Sequence, residues 1–294
     1  MKPWLILTRL VKEYEPTRLA EEVRKLGMEV EMVKYGQVEL GVVDGRPVVK
    51  MPDGRAINDF ERVTTRAASK KGSSMVGTKT AMLQMVDPVK VLNGVSFAKF
   101  PLLGKLEQGL MLAKAGLPTV PFVSFGNKKG WREYLERTVF EFPVIVKGQF
   151  GSHGRTVKLV ESVDDLRREY KKYDAGVVLI QPKLRVRQWY RCIVVGGEYL
   201  GEMRHRQKDK YDGEAGVMLK LSGEKMERLR EIALKACELF SCEYAGLDVV
   251  YDEDRKDFVI LEVNRTAQFK YFEKRTGVNV AEKIVALMQK KAAA

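Results

Sequence analysis

Cysteine and histidine are both scarce, with three of the first and two of the second in 294 residues. Cys192, Cys237 and Cys242 are odd in number, and their spacing fits no zinc or redox motif. They read as buried or incidental thiols of a reducing cytoplasm. His153 and His205 are too few for a histidine-rich metal site. Long apolar runs are also missing. Charges interrupt every hydrophobic stretch, and none approaches the roughly 20 apolar residues of a membrane span. The opening Met1–Thr8 has too short an apolar run for a signal peptide and reads as a first strand. The expectation is a cytoplasmic protein without membrane contact. No glycine-rich phosphate loop follows that strand, which leaves a dinucleotide fold unsupported. Repeats and low-complexity linkers are absent, as is any persuasive Ser/His/Asp or Cys/His set that would supply a nucleophile.

Positive charge is plentiful, at a net +13. This invites a nucleic-acid partner, yet the basic residues do not form one tail. Lys70-Lys71, Lys128-Lys129, Lys171-Lys172 and Lys290-Lys291 are scattered pairs. The densest stretch, Lys183 to Lys210, contains Arg185, Arg187, Arg191, Arg204, Arg206 and Lys208. Arginines on adjacent strands there suit carboxylates or phosphates, whether of an acidic substrate, ATP, a Glu-rich protein or RNA. The chain is long enough for two or three domains and a large core.

The pattern predicts strands at 4–8 and 29–33 around an amphipathic helix, Pro16–Leu26, with Gly27 after its end. A hairpin over 38–50 turns at Asp44-Gly45. The segment Thr64–Thr80 reads as a loop with some helix. A helix starts at Lys105, with Leu103, Leu106, Leu110 and Ala113 as its apolar stripe and Gly116-Leu117-Pro118 as its stop. Phe142–Lys147 and Arg155–Val160 are β runs flanking Gly148–Gly154. Ser162 with Asp165 opens a helix through Tyr173. A strand Val177–Gln181 stops at Pro182. Arg191–Val195, Gly196-Gly197 and Tyr199–Arg204 form a hairpin. Helices follow at Ser222–Phe240 and from an Asn279 cap to about Lys290.

The most informative motif lies near the C-terminus. Glu262 and Asn264, two apart in a predicted strand, face one way. The preceding strand, Tyr244–Tyr251, carries Asp248, and the polar run 252–257 connects the two. Antiparallel pairing brings Asp248 beside the others. Three oxygen donors on one sheet face suit a hard cation such as Mg2+, held by one or two carboxylates plus substrate phosphates. They would also suit a half-exposed, merely solvated face. The loop Gly148–Gly154 joins strand to strand, so it is no Walker loop. It is either a flap whose backbone N–H groups approach a phosphate or a plain turn. Lys147 at the end of a strand and Lys105 at a helix start are phosphate contacts or surface charge. Arg191, among apolar strand neighbours, needs an acceptor. Arg204 and Arg206 share a face of its partner strand, for function or for surface ion pairing.

These segments, in this order, resemble the ATP-grasp carboxylate–amine ligases, most closely the RimK-like branch. The matching stretches are Gly104-Lys105-Leu106-Glu107, Phe142–Lys147, Gly148–Gly154, Leu179-Ile180-Gln181-Pro182, Tyr190–Gly197, Ala245–Asp248, Leu261–Asn264 and Phe272–Asn279. The resemblance covers residues 96–290 well and 1–95 only loosely. It implies an α/β (α+β) ATP-grasp fold. Residues 1–95 would form an N-terminal α/β pre-ATP-grasp domain, and 96–182 a central α+β lid with the glycine-rich flap. Residues 183–294 would form a C-terminal α+β part with an antiparallel sheet and the metal site. The implied activity is ATP-dependent joining of a carboxylate to an amine, such as glutamate or another amino acid added to a protein, peptide or cofactor. The rival is an RNA- or ribosome-associated protein with a degenerate ATP site. Implied cofactors are ATP and Mg2+, with Mn2+ as a substitute, and a homo-oligomer is expected. By the same resemblance Lys105 and Lys147 hold ATP phosphates, and Gly148, Gly151, Ser152 and Gly154 belong to the flap. Gln181, Pro182, Lys183 and Leu184 form the adenine hinge. Arg191, with Lys147, serves the reacting phosphate, Arg204 contributes to the nucleotide site, and Asp248, Glu262 and Asn264 hold Mg2+. The chain departs from the family pattern at Pro182, Trp189 and Arg265–Phe269, which affects ribose or substrate contacts.

Overall fold

A computed structural model describes residues 2–66, 74–125, 128–137, 140–149, 157–172, 178–206, 221 and 223–291. Its first third is β1 (Trp4–Thr8), α1 (Tyr14–Lys25), β2 (Val30–Lys34), the hairpin β3 (Glu39–Val43) and β4 (Arg46–Lys50), β5 (Arg62–Thr65), α2 (Ser74–Gln84) and α3 (Gly94–Lys99). Then come α4 (Lys105–Lys114), α5 (Lys128–Arg137), β6 (Val144–Gly148), β7 (Val157–Val160), α6 (Val163–Tyr170) and β8 (Val178–Pro182). The last part is β9 (Val186–Val195), β10 (Glu198–Arg206), α7 (Glu224–Leu239), β11 (Tyr244–Asp252), β12 (Asp257–Asn264), α8 (Lys270–Thr276) and α9 (Val280–Lys290).

The local rules hold where turn chemistry is explicit. Asp44 and Gly45 both take positive φ, 49° and 72°. That is the conformation a two-residue hairpin turn requires. Ser162 accepts from the Asp165 N–H at 3.2 Å, and Asn279 from the Glu282 N–H at 3.0 Å. Both caps satisfy otherwise orphaned helix donors. The helix after Ser162 ends at Tyr170 rather than Tyr173, which lies outside the described residues. Of the Thr64–Thr80 segment, 67–73 also lie outside them, and helix α2 occupies the rest from Ser74.

Three sheets matter for the site. A parallel sheet has the order β2-β1-β5, an antiparallel one β7-β6-β8, and a second antiparallel one β10-β9-β11-β12. The four-stranded sheet is covered on both faces. One face packs Ile193, Val195, Met203 and Tyr244 against Trp4, Ile6 and Leu19 and against Phe269, Phe272 and Ile284. The opposite face packs Cys192, Val194, Ala245 and Leu247 against Leu229, Ile232 and Ala236 of α7 and Leu112 of α4. Residues 1–95 are therefore joined to the C-terminal part by a shared core, reinforced by the Arg62 guanidinium, which donates to the Met288 carbonyl at 2.8 Å.

The stripe expected on α4 is not the one observed. Leu110 is 57% exposed, whereas Gln108, Gly109 and Leu112 are buried. At Gly109 a Cβ would lie 2.4 Å from the Phe122 ring, so a side chain there would prevent the helix from lying this close. A polar residue and a glycine thus form the inward face, which a count of apolar positions misses. Among the described residues, no helix is long and apolar enough to cross a membrane.

Candidate active site

Strands β11 and β12 pair antiparallel, with Asp248 directly opposite Glu262 and Gly246 opposite Asn264. Opposed residues in such a ladder share a face, so the three oxygen donors lie on one side of the sheet. The pairing shifts by one residue immediately after Asp248, leaving Leu261 as a bulge. Bulges re-aim neighbouring side chains, and Leu261 joins an apolar patch with Leu184, Val186, Trp189, Val120, Val250 and Val259.

Arg191 stands opposite Asp248 on the other neighbour, β9. Its Nη2 lies 2.9 Å from Asp248 Oδ1 and 3.1 Å from Oδ2. Gly246 makes room for this pair, because a Cβ there would meet Ala267 Cβ at 2.4 Å and Arg191 Nη1 at 3.1 Å. One guanidinium nitrogen leaves most of the carboxylate's roughly four lone-pair sites open.

The two lysines arrive from different elements. The Lys105 N–H at the start of α4 donates to the Gln149 carbonyl at 3.3 Å, which ties that helix end to the end of β6. The Lys105 Nζ reaches Glu262 Oε1 at 3.2 Å. Lys147, on β6, is 8% exposed. Burial, and next the positive charge of Lys105, pull its ammonium down to about 8, against the opposing influence of Glu262. Among the described residues it has no hydrogen-bond partner. Two ammonium groups held together against one carboxylate form a site short of negative charge, which suits phosphate oxygens.

Asn264 faces the same way, and its Oδ1 accepts from the Thr266 N–H at 2.9 Å. Among the described residues no three His, Cys, Asp or Glu side chains cluster to hold a metal. The donors present are two carboxylates and one amide oxygen. That set fits Mg2+, which keeps waters and phosphate oxygens in its sphere, better than it fits an ion needing an all-protein cage.

The other expected residues fall out differently. Gln181 is buried on β8, opposite Ile145, and leads through Pro182 and an exposed Lys183 to Leu184 in the apolar patch. Gly148 ends β6. Gly151, Ser152 and Gly154 of the expected flap lie outside the described residues. Arg204 is not brought to the cluster. It stands opposite Tyr190, whereas Met203 stands opposite Arg191, so Arg204 is on the other face of the sheet.

Sequence reasoning missed the groups that hold the loop after Asn264. Arg66 donates to the Ala267 carbonyl at 2.8 Å, as does the Tyr244 hydroxyl at the same distance. Glu15 accepts from the Phe269 and Lys270 N–H groups at 3.1 and 3.2 Å. Asn93 donates to the carbonyls of Tyr244 and Arg265 at 2.8 and 2.9 Å. It also accepts from the Glu243 and Tyr244 N–H groups at 2.7 and 2.9 Å. The Asn93-Gly94 dipeptide was the available signal for a special backbone, and Asn93 takes φ 62°.

The family model for the RimK-like ATP-grasp domain matches residues 104–288. The chain belongs to the RimK-like ATP-grasp family. Over 291 residues, 95% of this RimK-like chain and 92% of the relative, it is 25% identical to a probable alpha-L-glutamate ligase of Legionella pneumophila (strain Corby). Its fold is similar to that of the ATP-grasp ligase PsnB complexed with a phosphomimetic variant of a minimal precursor, Mg and ADP. The TM-score is 0.69 at 16% identity, covering 99% of both chains. It is also similar to a RiPP-associated ATP-grasp ligase of Chryseobacterium gregarium in complex with ADP and a leader and core peptide. That TM-score is 0.70 at 15% identity, covering 99% of this chain and 97% of the other.

Proposed function

We propose that this RimK-like protein is an ATP-dependent carboxylate–amine ligase that joins glutamate or another amino acid to a protein, peptide or cofactor. The observation that carries the reading is the 3.2 Å contact of Lys105 with Glu262 beside the buried Lys147 ammonium. A carboxylate oxygen of the substrate attacks the γ-phosphorus of ATP, and the bond to the ADP oxygen breaks, giving an acyl phosphate. The amine nitrogen then attacks the acyl carbon, phosphate leaves, and the amine gives up its proton to solvent. The protein positions the reactants and neutralises charge, as in other phosphoryl transfers.

Lys105 and Lys147 hold the triphosphate, and Arg191 meets the charge that develops on the transferred group. Asp248, Glu262 and Asn264 would hold Mg2+, or Mn2+ with the same oxygen donors, which when bound offsets phosphate charge. Gln181 to Leu184 border the adenine, with Leu261 and Trp189 as apolar walls. The buried thiols Cys192, Cys237 and Cys242 suit a reducing cytoplasm.

ADP release measured with pooled amino acids and acidic peptides tests this reading. Stimulation by an amino acid together with a carboxylate acceptor is expected. Steep, salt-sensitive RNA binding without ATP affinity would instead favour the RNA-associated alternative.

A further inference from the structure

Strand β12 is the outer strand of its sheet. The outward backbone groups of an edge strand lack a ladder partner and must be satisfied otherwise. At Ile260 the Pro118 carbonyl accepts from the N–H at 2.9 Å. At Val263, between Glu262 and Asn264, a side chain takes over. Gln108 Oε1 accepts from the Val263 N–H at 2.7 Å, and its Nε2 donates to the Val263 carbonyl at 3.1 Å. The same Nε2 donates to the Leu103 carbonyl at 3.0 Å. Leu103 takes φ 41° just before Gly104 and Lys105. Gln108 itself is 4% exposed.

We propose that Gln108 is a positioning residue that sets the separation of the Lys105 ammonium from the Glu262 and Asn264 oxygens, and thereby the affinity for the metal–nucleotide pair. One rigid amide replaces a strand neighbour. It fixes the backbone between the two candidate ligands and the turn that launches Lys105, without touching metal, phosphate or substrate. A purely cohesive role would need only one of these ends. Here both ends of the 3.2 Å Lys105–Glu262 contact are referred to the same side chain. Groups that orient metal ligands are commonly worth about 10- to 100-fold in metal affinity.

The inference rests on the ligase reading, so its test measures binding rather than turnover. The full-length protein and its Gln108→Met and Gln108→Glu variants are titrated with ADP by calorimetry, in EDTA and across a Mg2+ series. Methionine keeps the volume and removes all three bonds. Glutamate keeps the acceptor for Val263 and removes the donor, so it decides the question if the first variant does not fold. The expected result is an increase of about 10-fold or more in the half-saturating Mg2+ concentration, with a much smaller change in ADP affinity in EDTA. A lowered melting temperature with an unchanged Mg2+ requirement would overturn the inference and leave the ligase reading standing. A wild-type protein whose ADP binding ignores Mg2+ would overturn both.

Discussion

Arg191 and Asp248 face each other across β9 and β11, with one guanidinium nitrogen 2.9 and 3.1 Å from the two carboxylate oxygens. The pair is partly open, its side chains 25% and 31% exposed. It is therefore worth little as a surface salt bridge, and its value lies in where it holds the charges. Asp248→Asn keeps an oxygen for Arg191 and removes the negative charge. ADP release should fall about 100-fold or more, while the melting temperature moves by only a few degrees. Retained turnover would remove Asp248 from the machinery.

The buried Lys147 makes stability depend on pH. Its folded-state pKa, about 8, lies below the 10.5 of an ordinary lysine. Below pH 8 both states carry the proton and the folded state bears the full cost. Between about 8 and 10.5 the unfolded chain binds more protons, so stability rises with pH. Lys147→Met should therefore stabilise the nucleotide-free protein at pH 7, by up to about 3 kcal/mol, and abolish ADP binding. Denaturant unfolding at pH 7 and pH 10 checks this. The gain should shrink at the higher pH.

Gly246→Ala places a methyl 2.4 Å from Ala267 Cβ and 3.1 Å from Arg191 Nη1. The Ala267 Cβ is fixed to its own backbone and cannot yield, whereas the Arg191 end can move only by leaving Asp248. A loss of about 1–3 kcal/mol is expected, together with a loss of ADP release larger than the loss of folded protein. Thermal unfolding read beside ADP release measures the two separately.

Asn93, 1% exposed, meets four backbone groups around the loop that follows Asn264. Asn93→Ala leaves these groups without their partner and puts a non-glycine, non-asparagine residue at φ 62°. A cost of at least about 2 kcal/mol follows, read from guanidinium unfolding. An unchanged midpoint would show that Asn93 does not hold the loop and that Arg66, Tyr244 and Glu15 suffice.

Glu262 and Asn264 were readable together because strand alternation sets residues two apart on one face. Asp248 is another matter. Counting back from the Asp252–Asp257 pair without interruption would set Asp248 opposite Leu261, and only the one-residue shift after Asp248 brings it opposite Glu262. Arg204 meets a slip of the same kind. Counting back from the Gly196-Gly197 turn without interruption would set Arg204 opposite Trp189, on the Arg191 face. The pairing instead shifts between Tyr199 and Gly201, where Gly201 takes φ 126°. A slip of one residue turns every later side chain to the other face, and nothing in the local composition announces it. Gln108 was hidden for a different reason. Helix periodicity assigns polar residues outward, and only the unpaired edge of a strand 155 residues away brings this one inward.

The measurement closest to the central claim is an anomalous difference map from crystals grown with Mn2+ and ADP. The account predicts a manganese peak within about 2.0–2.3 Å of oxygens from Asp248, Glu262 and Asn264, with nucleotide phosphate against Lys105 and Lys147. A peak elsewhere, or phosphate bound away from the two lysines, would contradict it.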